Sequence, residues 1–214
     1  MNPRRTRIKI CGVRDAATAR AAAEAGADAV GIVFHPASPR YASPEEALAV
    51  ASALPAFVSA VGLFVNAPAG QVRETIARVP LALLQFHGDE DPAYCAQFER
   101  PWIKAVRVGE GADLLEWRSR FSGAAALLLD ASVPGEFGGT GASFDWSLVP
   151  GELASRIVLS GGLHPGNVAK AIGIVRPWAV DVSSGVESSR GVKDIARIQE
   201  FVRSVRDADA RTAP

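Results

Sequence analysis

Short, mostly apolar runs recur along the chain, with helical segments between them. The runs cover 8–11, 29–34, 59–65, 82–86, 102–106, 125–129, 157–159 and 179–182. They lack polar alternation, as expected of strands covered on both faces, where neither side meets water. Parallel strands are therefore predicted at all of them. Between them, residues 15–25 are alanine-rich and stop at Gly26, a residue type that ends helices in the left-handed conformation. Ser43-Pro44-Glu45-Glu46 reads as a capping box with proline at the first helical position. Further helices are predicted over 69–78, 92–100, 112–121, 166–175 and 192–205, with a stub near 145–149.

Strand and helix thus alternate throughout, and such units close into a single (β/α)8 TIM barrel of class α/β. An open doubly wound sheet shares the alternation. Strand number favours the barrel, and the first strand is followed by Cys11-Gly12-Val13-Arg14, whose single glycine is no dinucleotide fingerprint. No linker or low-complexity stretch divides the chain, so one domain over 1–214 is expected, with flexible tails at 1–6 and 207–214.

Composition narrows the partners. With 214 residues, 48% of them hydrophobic, one sizeable core can be buried. Lys and Arg together number 23 and balance 23 Asp and Glu, so no net field draws the chain to nucleic acid or an anionic membrane. Small-molecule partners are expected. Cys11 and Cys95 form no CxxC or Cys/His cluster, which argues against a zinc site or a disulfide framework and for a reducing compartment. The basic leader lacks the apolar stretch of a secretory signal, and no apolar run reaches spanning length, so a cytoplasmic location is expected.

In a parallel barrel the catalytic groups sit at strand carboxyl ends. Those ends carry Cys11, His35, Asn66, His87, Arg107, Asp130, Ser160 and Asp181 or Ser183. Cys11 would place a thiol at the mouth, where nearby positive charge could make thiolate available as a base or nucleophile; burial as a small hydrophobe is the alternative. Cys95 falls inside a helix pattern and reads as core. Asp130 abruptly follows apolar residues, and a desolvated carboxyl there would have a raised pKa suited to donating a proton, unless it serves as a cap or an ion-pair partner. Arg40 in Ser38-Pro39-Arg40 could fork onto a carboxylate or be merely solvated. His87 could donate to a ligand or satisfy a loop carbonyl. The segment 131–144, with Gly138-Gly139-Thr140-Gly141, reads as a lid or a plain linker and is no Walker A loop.

Two glycine loops end the last two strands: Ser160-Gly161-Gly162 and Ser183-Ser184-Gly185. Glycines let backbone N–H groups come close to an anion, and a helix N-terminus behind them adds partial positive charge. One such loop is ordinary turn chemistry; the pair points to phosphate binding.

Lys9-Ile10-Cys11-Gly12, Ser38-Pro39-Arg40, Gln85-Phe86-His87-Gly88, Asp130 with Gly138-Gly139-Thr140-Gly141 and Phe144-Asp145-Trp146, Leu159-Ser160-Gly161-Gly162-Leu163 and Asp181-Val182-Ser183-Ser184-Gly185 occur in one order. The chain closely resembles the phosphoribosylanthranilate isomerases of tryptophan biosynthesis from about Ile8 to Val205. That resemblance implies an Amadori rearrangement of N-(5-phosphoribosyl)anthranilate to 1-(2-carboxyphenylamino)-1-deoxyribulose 5-phosphate. It implies Asp130 as general acid and Cys11 as general base, with no metal or organic cofactor because a protonated Schiff base is its own electron sink. Arg40 would hold the anthranilate carboxylate, bidentate if geometry allows. The phosphate would sit on Gly161, Gly162, Ser183, Ser184 and Gly185, with Asp181 and His87 contacting sugar or carboxylate. A monomer or a homodimer is expected.

Three other readings share some of these features. A histidine-pathway aminoaldose-phosphate isomerase resembles this chemistry but has an Asp where Cys11 stands. Indoleglycerol-phosphate synthase resembles the phosphate loops but calls for a catalytic Lys and Glu set not found at these strand ends. A non-catalytic phosphate- or flavin-binding barrel would need only the glycine loops.

Overall fold

Strands β1 (Arg7–Cys11), β2 (Ala29–Val33), β3 (Ser59–Phe64), β4 (Leu83–Phe86), β5 (Trp102–Val108), β6 (Ala126–Ala131), β7 (Ile157–Leu159) and β8 (Ala179–Val182) pair in sequential order, every pair parallel, and β1 pairs with β8 to close the barrel. This is a computed structural model, and it describes residues 5–109, 112–131 and 144–212. Helices α1 (Ala16–Ala25), α2 (Pro44–Ser52), α3 (Ala69–Arg78), α4 (Pro92–Ala96), α5 (Leu114–Arg120), α6 (Val168–Val175) and α7 (Ile195–Thr212) cover the outside. The helix starts follow local chemistry. Asp15 caps α1, and Ser43 and Glu46 form the reciprocal capping box of α2, an arrangement that contributes about 1 kcal/mol.

Successive side chains of a strand point to opposite faces, and that rule sorts the barrel into two interiors. One set of alternate positions, including Ile10, Ile32, Leu84, Leu127 and Val180, packs outward against the helices in the main core. The other set points inward. Its lower part is apolar, with Ile103, Ala105, Ala126, Leu128, Val158 and Ala179 in contact. Toward the carboxyl ends the inward set turns polar, with Lys9, Gln85, Asp130 and Asp181 buried beside Cys11. The barrel is therefore plugged below and chemically equipped above.

Three expectations need correction. The helix expected over 92–100 ends at Ala96, and Glu99 adopts φ 52° as the chain turns into β5. The helix expected over 192–205 begins only at Ile195, where the Asp194 carboxylate accepts from the N–H groups of Ala196 and Arg197. The residues before it form a hairpin of β9 (Glu187–Ser189) and β10 (Val192–Lys193). The tails expected to be flexible instead bind each other where they are described. Helix α7 runs to Thr212, burying Ile198, Phe201, Val202, Val205 and Ala208, while Asp209 accepts from both the N–H and the hydroxyl of Thr6 at 2.8 and 2.6 Å. The Gly138-Gly139-Thr140-Gly141 segment lies outside the described residues.

Candidate active site

A pocket of about 430 Å³ opens at the carboxyl ends of the strands. It is lined by Cys11 from β1, His35, Ser38 and Arg40 after β2, Gln85 and His87 from β4 and its end, and Asp130 from β6. Its other wall is Ser160, Gly161 and Gly162 after β7, Asp181, Ser183 and Ser184 at the end of β8, and Arg190 from the hairpin turn. Two of the strand-end residues, Asn66 and Arg107, do not line it. Gly185 does not line it either: a Cβ there would run into the Leu163 carbonyl, so glycine at 185 is what lets the two glycine loops lie against each other.

Asp130 is 5% exposed and held at both oxygens. Oδ1 accepts from the Ala131 N–H at 3.0 Å, and Oδ2 lies 3.2 Å from His87 Nε2. His87 Nδ1 in turn faces the Gln85 amide nitrogen at 3.0 Å. In the tautomer that accepts from Gln85, His87 donates to Asp130. His87 therefore meets a carboxylate, not a loop carbonyl, while still lining the pocket. Gln85 Oε1 is buried and has no hydrogen-bond partner among the described residues.

Cys11 is 4% exposed, and burial pushes its thiol above the ordinary value, opposed by the ammonium groups of Lys9 and Lys193. The positive charge anticipated near the thiol is present, but desolvation outweighs it. Lys9 Nζ donates to Asp181 Oδ1 at 2.8 Å, so Asp181 is a buried ion-pair partner as well as part of the pocket wall. Burial works against the Lys9 charge, but Asp181 and Cys11 overcome it and lift the ammonium above the ordinary lysine value. Ser183 Oγ donates to the Cys11 carbonyl at 3.1 Å, tying the base of the β8 loop to the end of β1. Cys95 is buried in α4, its thiol pushed up to about 12 chiefly by desolvation, which leaves it inert.

Arg40 is oriented by Glu187. Its Nε and Nη2 donate to the two carboxylate oxygens at 2.7 and 2.9 Å, and Lys193 Nζ and the Gly191 N–H add contacts at 2.6 and 3.0 Å. Burial opposes the Glu187 charge, but Arg40 and Lys193 bring its carboxyl down to about 2. The expected bidentate grip on a substrate carboxylate cannot use this Nε/Nη2 edge of the guanidinium, because Glu187 occupies it. Lys9, Gln85 and Glu187, members of the family motifs, and Arg190 and Lys193 have no role assigned from the sequence. Stepping back two positions from Cys11 and His87 would have found Lys9 and Gln85. Nothing local marks Arg190 and Lys193. Among the described residues no cluster of three or more His, Cys, Asp or Glu side chains could hold a metal ion, and no helix is long and apolar enough to cross a membrane.

The family model described as N-(5'phosphoribosyl)anthranilate (PRA) isomerase matches residues 8–204. The chain belongs to the N-(5'-phosphoribosyl)anthranilate isomerase family. A curated isomerase of this name from Pseudomonas putida (strain W619) is 54% identical over 202 residues, covering 94% of this chain and 98% of its own. Another, from Leptothrix cholodnii, is 51% identical over 212 residues, with coverages of 99% and 96%. The crystal structure of phosphoribosyl anthranilate isomerase from Thermotoga maritima superposes with a TM-score of 0.84 at 41% identity, covering 94% of this chain and 99% of that one. A phosphoribosyl anthranilate isomerase solved in complex with reduced 1-(o-carboxyphenylamino)-1-deoxyribulose 5-phosphate superposes at 0.82 with 40% identity, at the same coverages. The isomerase described here converts phosphoribosylanthranilate, an aminoaldose phosphate, to the corresponding aminoketose phosphate in tryptophan biosynthesis.

Proposed function

We propose that this isomerase runs its rearrangement with Asp130 as general acid and Cys11 as general base on one bound sugar. The carrying observation is that these two groups, from β6 and β1, line the same pocket whose wall includes the glycine loops after β7 and β8. Asp130 gives its proton to the ribose ring oxygen as the bond from that oxygen to C1 breaks, leaving a protonated Schiff base. The Cys11 thiolate then takes the proton from C2, and the electron pair flows toward the iminium nitrogen to form an enolamine. Gain of a proton at C1 and loss of one from the C2 hydroxyl give the ketone. Once the proton has left, the Asp130 carboxylate is held by the His87 N–H, in the tautomer that accepts from Gln85, and by the Ala131 N–H.

The phosphate rests on backbone N–H groups and hydroxyls at Gly161, Gly162, Ser183 and Ser184, with Gly185 closing the two loops together. Arg40, oriented by Glu187, takes the anthranilate carboxylate at the pocket wall. His87 and Asp181, on the same wall, contact sugar or carboxylate while also meeting Asp130 and Lys9. The chain works as one barrel domain in the cytoplasm, as a monomer or a homodimer, with the small-molecule substrate as its partner and without nucleic acid, membrane or cofactor.

Loss of substrate fluorescence with freshly generated phosphoribosylanthranilate measures turnover. Cys11→Ala should lose kcat by orders of magnitude, and a variant turning over near the wild-type rate removes Cys11 from the base role. Arg40→Ala should raise KM about 10- to 100-fold with a smaller change in kcat, the cost of one charge-assisted contact. It should still fold, because Lys193 continues to neutralise Glu187. An unchanged KM would contradict the carboxylate role.

A further inference from the structure

Cys11 and Lys9 both point into the barrel from β1, two positions apart, and their heads are close because the neighbouring strand carries no side chain between them. Gly31 of β2 is the register partner of Cys11. A Cβ on Gly31 would lie 2.8 Å from the Cys11 sulfur and 3.0 Å from Lys9 Nζ. Both heads therefore border the space that the missing side chain leaves, within about 6 Å of each other, the range over which an opposite charge favours an ionised group. Lys9 cannot swing away, since it is buried and its ammonium is hydrogen-bonded to its register partner Asp181 at 2.8 Å.

We propose that Lys9 is a positioning residue for Cys11: pinned by Asp181, its ammonium stands beside the sulfur and stabilises the thiolate. The inference rests on the reading of Cys11 as base. Burial makes the thiolate costly, so a buried thiol can act as base only where fixed positive charge offsets that cost. Facing the sulfur are Lys9 from β1, Asp181 from β8 and Lys193 from β10; farther round the wall stand His35 and Arg40 after β2, His87 after β4 and Asp130 on β6. Of the nearby charges on Cys11, Lys9 exerts the largest pull and Asp181 opposes it, which gives each substitution its own sign.

The test reads the pH dependence of Cys11 alkylation by iodoacetamide in the substrate-free enzyme, with peptide mass spectrometry separating Cys11 from Cys95. Lys9→Met should raise the Cys11 inflection by about one to two pH units. Asp181→Asn should lower it. The double substitution should raise it by less than Lys9→Met alone, and because it strands no buried charge it folds even if the single variant does not. Lys9→Arg should stay near wild type, and in Lys9→Met kcat/KM at neutral pH should fall as the thiolate becomes scarcer.

An unmoved inflection in Lys9→Met, or a double variant returning to the wild-type value, overturns the role, because only the stranded Asp181 charge would then be at work. A wild-type rate in Cys11→Ala sinks the base role and this inference with it. An inflection that fails to move while Cys11→Ala is inactive sinks this inference alone.

Discussion

Asp130→Asn is expected to lower kcat by about 10² to 10⁴, the usual range for losing one proton-transfer group. That corresponds to about 3 to 5 kcal/mol of transition-state stabilisation. Asparagine keeps the size of the side chain, can still accept from the Ala131 N–H through its carbonyl oxygen, and can still meet His87. What it cannot do is hand a proton to the ring oxygen. The effect should therefore fall on kcat with KM close to wild type, since the glycine loops and Arg40 are untouched. A thermal melt of the variant separates loss of chemistry from loss of fold. Turnover within a factor of ten of wild type, in a folded variant, would take the acid role away from Asp130.

Glu187→Gln is expected to be the most destabilising single change at the mouth, by about 3 kcal/mol. Its carboxylate receives Arg40, Lys193 and the Gly191 N–H, and the substitution leaves two cations facing each other without the charge between them. For a chain of this size that is a melting temperature lowered by about 10 °C. The same number follows from linkage. The folded carboxyl titrates at about 2 against an ordinary 4.5, so the unfolded chain binds more protons in between. The stabilisation is complete above the unfolded value, is lost as pH falls through 4.5 toward 2, and amounts to about 3 kcal/mol at neutral pH. Urea unfolding at pH 7 and pH 3 checks it: the gap between wild type and Glu187→Gln should shrink at the lower pH. A gap of equal size at both would show that the carboxylate charge is not what holds the hairpin to the Arg40 loop.

The 3.6-residue spacing of Ile198, Phe201, Val202, Val205 and Ala208 was written in the chain as far as Ala208. Its polar intervals nevertheless read as a tail, because the partner that holds Asp209, Thr6, lies at the other terminus. The capping box of α2 and the full span of α3 were legible because caps and amphipathic spacing are local.

The apolar runs and their alternation with helices determined the parallel strands and the barrel, since strands buried on both faces and short crossovers leave few other closures. The motif order determined the family, and the strand ends carried Cys11, His87, Asp130, Ser160, Asp181 and Ser183 to one pocket. Only the tertiary structure decided what faces what. Lys9 meets Asp181, and Arg40 meets Glu187, 172 and 147 residues apart in sequence. The physical reason is that a buried charge is tolerated only when an opposite one reaches it, and which one does so depends on strand register and barrel closure, not on any neighbour along the chain.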